Sequence, residues 1–99
     1  MKGNTLNEFM NDLLTVGGPE KEFIFRGKNF FLETTQKTDS HKLDLSLQEF
    51  IGNESQTTIN EFHFIGNTLT ECVNKFEKAK IFDGMNIYEA EREIEVIFG

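Results

Sequence analysis

The most reactive side chains in this sequence are one cysteine, Cys72, and two histidines, His41 and His63. A thiolate nucleophile needs an electropositive, partly exposed setting. Cys72 instead falls on the apolar stripe of a helical segment with no histidine beside it, and reads as a small buried core residue. His41 follows Asp39 and Ser40, but a nucleophile, base and orienting acid are recognised by spatial geometry, not by adjacency in the chain. His63 lies between Phe62 and Phe64 in a segment with strand character, so its ring is expected to point away from theirs, on a sheet face or surface. No spacing of Cys, His, Asp and Glu matches a metal-ligand pattern, and neither metal nor cofactor is expected. Gly27-Lys28 reads as a turn, because the glycine spacing and following helix of a phosphate loop are absent.

Charge is the other available chemistry. Glu89, Glu91, Glu93 and Glu95, with Arg92 among them, form the densest acidic stretch. On a helix these positions wrap around the axis, and Glu91 and Glu95 repel slightly at i, i+4. The plain expectation is a solvated helix face; the sharper one is a docking surface for a basic partner. The whole chain carries a formal charge of −7 from 17 acidic and 10 basic residues. Such a field repels a phosphate backbone, so direct nucleic-acid binding is disfavoured. Acidity also serves solubility.

The elements that must position these groups announce themselves through capping signals. Thr5-Leu6-Asn7-Glu8, Thr68-Leu69-Thr70-Glu71 and Asn86-Ile87-Tyr88-Glu89 share one pattern: a capping side chain, then a glutamate three residues on that reaches back. The first opens a helix over roughly Leu6 to Val16, whose apolar face holds Leu6, Phe9, Met10, Leu13 and Leu14. Gly17-Gly18-Pro19 stops it. The second opens a helix over about Leu69 to Lys80, with Leu69, Cys72, Val73, Phe76 and Ala79 inward. The third opens a last helix from about Ile87 with Ile87, Ala90, Ile94 and Ile97 buried. Its tail, Ile94 to Phe98, also alternates with period two, so an extended end stays open. Phe64, Gly66, Leu69 and Glu71 recur as Phe82, Gly84, Ile87 and Glu89; this echo reads as two helices entered the same way rather than a duplication.

The middle of the chain has strand character. Glu22 to Thr34 reads as a β-hairpin about a Gly27-Lys28 loop of type II′. That register sets Phe25 against Phe30, Ile24 against Phe31 and Phe23 against Leu32, with Glu22 facing Glu33. The last pair is repulsive, so a shifted register stays open. Phe23, Phe25, Phe30 and Leu32 share one face; Ile24 and Phe31 share the other, which is either covered or left as a patch for a partner. Thr35 to Ser40 reads as a loop. Leu43, Leu45 and Leu47 alternate inward against Asp44 and Ser46 outward. Phe50 breaks the alternation, so that strand bulges or ends nearby, and Ser46 to Glu49 alternatively opens a helical turn. Gly52 to Ser55 is a turn by composition, and Thr58 to Ile65 a fourth strand with Phe62 and Phe64 on one face.

Residues Cys72 to Phe76, Ala79 to Gly84 and Tyr88 to Glu95, with the hairpin Phe25 to Phe31 upstream, resemble a group of small uncharacterised bacterial proteins. That group carries a helix, an aromatic-Asp-Gly turn and a glutamate-rich final helix. The resemblance implies a stand-alone domain and carries over no functional residue. The final helix of such proteins often holds a tryptophan near its end, which this chain lacks.

The 99 residues are expected to form one domain, 1–99, of class α+β: an N-terminal helix, an antiparallel meander of three or four strands, then two helices. Eleven phenylalanines argue against disorder. No apolar run is long enough to cross a bilayer, the N-terminus lacks signal-peptide features, and the lone cysteine fits a reducing compartment; a cytoplasmic protein is expected. The leading expectation for function is a small acidic, non-enzymatic protein-binding or regulatory domain. The alternative is an acidic nucleic-acid mimic that occupies a DNA- or RNA-binding protein, and the third an enzyme with an unrecognised site. The candidate interaction surface is Ile24, Phe31, Glu91 and Glu95. Its expected partner is an unidentified protein, a basic one if the carboxylates choose it, and a homodimer stays open.

Overall fold

The computed structural model describes residues 1–15, 20–36, 41–50 and 57–98. The order is α1 (Leu6–Leu13), β1 (Lys21–Phe25), β2 (Lys28–Gln36), β3 (Leu43–Phe50), β4 (Thr58–Gly66), α2 (Leu69–Lys78), α3 (Ile87–Ala90), a 3₁₀ turn (Glu91–Glu93) and β5 (Ile94–Phe98). The fold is α+β, and its five strands make one antiparallel sheet ordered β4-β3-β2-β1-β5. The expected meander accounts for β1 to β4. The fifth strand corrects the count and replaces the second half of the expected last helix. On a helix Ile94 and Ile97 would both be buried; instead Ile94 and Val96 are buried and Ile97 is 55% exposed. Period two wins because β1 would otherwise leave a row of backbone N–H and C=O groups unpaired beside the fully buried Phe23 and Phe25. One helical turn has little intrinsic stability to oppose that pairing.

The hairpin register is also corrected. Arg26 and Gly27, not Gly27 and Lys28, are the loop; both have positive φ, 49° and 76°, as a type I′ turn requires. Phe25 then faces Lys28, Phe23 faces Phe30, and Ile24 faces Asn29. Glu22 meets Phe31, which removes the repulsion with Glu33. A shift of two positions leaves every side chain on its expected face. Asp83-Gly84 forms a second turn of the same type, with φ of 52° and 82°, closed by paired backbone bonds between Phe82 and Met85.

Other boundaries move by local causes. β2 extends through Thr35 and Gln36, expected in a loop, because β3 pairs with them at Asp44 and Leu43. β3 is strand through Ser46 to Glu49, not a helical turn, and a bulge sits between Glu49 and Phe50. α1 ends at Leu13 and α2 at Lys78, after which Ala79 is extended. Gly17-Gly18-Pro19 and the Gly52 to Ser55 turn lie outside the described residues, as do Val16, Asp39 and Ser40.

All three caps form. Thr5, Thr68 and Asn86 accept from the backbone N–H of Glu8, Glu71 and Glu89. The reciprocal bond closes at Asn86, whereas Glu71 reaches one residue further, to the N–H of Asn67 at 2.7 Å. The helices cover one sheet face, where their buried residues join Phe23, Phe25, Phe30, Leu32, Leu45, Leu47, Ile94 and Val96 in one core. Phe82, fully buried in the segment between α2 and α3, is its hub: its ring lies 5.4–6.4 Å from those of Phe25, Phe30, Phe23 and Phe76. Lys21 is buried on this same face. Its Nζ donates to Asp12 Oδ2 at 2.6 Å and sits 5.5 Å from the Phe9 ring, so its charge is compensated where water is excluded.

Candidate functional site

Because side chains alternate along a strand, the inward set just described leaves a second set on the opposite face, where no helix packs among the described residues. The cross-strand register arranges it in rows. One row runs Glu95, Ile24, Asn29, Phe50; the next runs Phe98, Glu22, Phe31, Gln48, Glu61; a third holds Glu33, Ser46 and His63. Glu22, Phe31, Gln48 and Phe50 line a hollow of about 410 Å³. Ile24, Phe31 and Phe50 are half-buried, and Phe98 is 58% exposed beside Glu22. An apolar platform is thus interleaved with carboxylates.

The carboxylates divide into two kinds. His63 Nδ1 meets the Asp44 carboxylate at 2.9 Å and its Nε2 meets Glu61 Oε1 at 2.9 Å. Both ring nitrogens face acceptors, so the fully bonded arrangement needs both N–H groups. Glu22, Glu33 and Glu95 have no ion pair among the described residues. They give this face a negative character, with Lys2 standing beside Glu95 across an isolated bridge.

Of the expected surface residues, Ile24 and Phe31 lie on this face as diagonal neighbours, and Glu95 stands opposite Ile24. Glu91 is not on the sheet. It belongs to the 3₁₀ turn, and its Oε2 accepts from the Met1 ammonium at 2.8 Å. The rest of the acidic stretch separates likewise: Glu89 closes the Asn86 cap, and Glu93 binds Arg26 through both oxygens at 2.9 and 2.6 Å. Of these four, Glu95 has no side-chain partner among the described residues, because a strand, unlike the expected helix, turns it to the open face.

Cys72 is buried and on the other side of the sheet from His63, its thiol donating to the Leu43 carbonyl at 3.4 Å. Burial pushes its pKa up, against weaker opposing contacts, which disfavours a thiolate. His41 is exposed at the entry to β3 with φ of 55°. Among the described residues no group of His, Cys, Asp and Glu is placed to hold a metal, and no helix is long and apolar enough to cross a membrane.

Gln48, Phe50, Phe98 and Glu22 were not expected at a site. A signal existed for Phe50: an aromatic at an outward position of an alternating strand is itself a mark of a contact surface. Phe98 gave none, since its place depends on β5 pairing with β1. Scans against protein-family models, curated proteins and solved structures found no match to this chain.

Proposed function

We propose that this chain is a small, non-enzymatic protein-binding domain that receives a basic, apolar-bearing segment of a partner protein on the sheet face opposite its helices. The observation that carries this reading is one sheet face on which Glu22, Glu33 and Glu95, without an ion pair among the described residues, interleave with the apolar anchors Ile24, Phe31, Phe50 and Phe98, with Glu22, Phe31 and Phe50 lining a hollow. Aromatic anchors supply contact area and the carboxylates select charge and speed encounter. A nucleic-acid mimic would instead set carboxylates in unbroken rows, and here phenylalanine stands in two of the three rows and Ser46 and His63 follow Glu33 in the third. An enzyme would be expected to bring its base to the hollow, whereas His63 is held between two carboxylates outside the lining.

The test is a titration with an arginine- and leucine-rich peptide, followed by backbone amide chemical shifts, with a glutamate-for-arginine version as control. Shifts are expected at Glu22, Ile24, Phe31, Gln48 and Glu95 with the basic peptide alone. Equal response to the acidic peptide, or shifts confined to the helices, would overturn the proposal.

A further inference from the structure

The two edges of the sheet differ. Along β5 the outer edge is occupied: the Lys2 N–H donates to Ile94 O at 3.0 Å and Lys2 O accepts from the Val96 N–H at 2.8 Å. Along β4, nine residues long, no strand pairs with the outer edge among the described residues. Which of its backbone groups are free follows from the turn. A two-residue hairpin closes on a hydrogen-bonded pair, here Phe25 and Lys28. Alternation through the unbroken β1–β2 and β2–β3 registers, then from Leu47 to Phe62, directs the backbone of Asn60, Phe62 and Phe64 to β3. Glu61, His63 and Ile65 therefore turn theirs outward. An independent contact agrees: the Ile65 carbonyl accepts from Lys75 Nζ of α2 at 2.5 Å.

We infer that β4 is the self-association edge of this protein, pairing antiparallel with β4 of a second copy about a two-fold axis at Phe62. Within each chain His63 Nε2 already meets Glu61 Oε1 at 2.9 Å; this register lays that pair head to tail on its copy, Glu61 against the partner's His63 and His63 against the partner's Glu61, so that carboxylates and imidazoles alternate across the seam. Both are outward-facing pairs, so they exchange four main-chain hydrogen bonds. The neighbouring even registers oppose Glu61 to Glu61 or His63 to His63 and lose the charge complementarity; a shift by one opposes outward to inward backbone and loses the ladder. Phe62, half-buried, gains an aromatic neighbour on the core side. Lys75 closes the ladder beyond His63 at each end, so the interface is small and the association weak. The occupant is a second copy because the edge is complementary to itself. The two open faces would join on one side of a continuous sheet, but the pairing does not require that face to bind anything.

Sedimentation across roughly a hundredfold concentration range at micromolar levels and above, with amide exchange at each end, tests this. The expected result is a rise from one chain toward two, with slower exchange at Glu61 and His63 and no change at Phe62. Glu61→Lys opposes a lysine to His63 and is expected to weaken association at least about tenfold, more than one unfavourable charge pair at an exposed edge alone. Glu61→Pro removes an outward donor that β3 does not use and is expected to do the same; should it fail to fold, Glu61→Lys decides. A single chain at the highest concentration, exchange slowed elsewhere, or undiminished association of Glu61→Lys would overturn the inference.

Discussion

The tip of the β1–β2 hairpin and the open face of the same two strands treat charge in opposite ways. At the tip, Arg26 bridges Glu93 through two bonds and reaches Asp83 at 3.2 Å, while Lys28 holds the other Asp83 oxygen at 2.5 Å. Two cations and two carboxylates are spent on each other, and three turns are tied together. One strand-length away, Glu22, Glu33 and Glu95 face solvent beside half-covered phenylalanines. A region that satisfies itself has nothing left for a partner; a region that leaves charge and apolar area unspent does. The contrast separates a clamp from the proposed recognition surface, although both carry carboxylates and share the same hairpin.

The largest effect should come from beneath the clamp. Phe82→Ala empties the space between four rings and is expected to cost about 3–5 kcal/mol, read as a lower midpoint in denaturant melts. For a chain of this size that approaches the whole stability. Phe31→Ala on the open face should cost only about 1–2 kcal/mol, because its ring is half-covered, yet weaken the basic peptide about tenfold or more. If Phe31→Ala destabilised as much as Phe82→Ala and left binding unchanged, the open face would be covered core and the comparison would fail.

The caps test how the clamp is presented. Asn86 starts the turn that leads to Glu93, and Asn86→Ala removes the side-chain half of its capping box, the bond that Asn86 Oδ1 accepts from the Glu89 N–H. The expected cost is about 0.5–2 kcal/mol, with no change in peptide affinity. Glu22→Lys should show the reverse: stability within about 0.5 kcal/mol, since no ion pair is lost, and clear weakening of the basic peptide that salt diminishes further.

Legibility in the sequence followed the range of the interaction. The side-chain caps at Thr5, Thr68 and Asn86 and the inward set Leu43, Leu45 and Leu47 rest on neighbours within a turn or two and formed as expected. But the returning glutamate closes the box at Asn86 and not at Thr68, and Asp44 and Ser46, expected outward on a half-buried strand, are buried on the opposite face. Ile24 and Phe31 were legible as a second apolar face for the same reason. What failed depends on distant residues. Glycine in the first loop position made Gly27-Lys28 the natural turn; Arg26 takes its positive φ while binding Glu93, 67 positions away. The cap at Asn86 was visible, but not that its helix ends after one turn, because the strand that ends it answers to the edge of β1. With that strand went the sorting of Glu89, Glu91, Glu93 and Glu95 into four different roles. Period-two patterning in Ile94 to Phe98 was present in the sequence but indistinguishable from a helical stripe until its partner strand was known.

The smallest expected effect is a pH dependence confined to the clamp. Hydrogen bonds from Lys28 and Arg26 hold the Asp83 carboxyl below its ordinary value of 3.8, and the Arg26 fork holds Glu93 below 4.5. Arg26 is itself pushed upward by the same carboxylates and stays charged throughout. For an acid whose folded-state value is depressed, the unfolded chain binds more protons as pH falls. The stabilisation is therefore complete above the ordinary carboxylate values and is lost as pH drops through the lower folded-state ones. Comparing the protein with an Asp83→Asn, Glu93→Gln variant, the difference in melting midpoint should be largest near neutrality and shrink steadily below about pH 4. High salt should shrink it further, since the groups are exposed and screened. A difference that stayed constant from neutrality to below about pH 4 would mean that Lys28 and Arg26 do not hold these two carboxylates, and the clamp side of the comparison would fail.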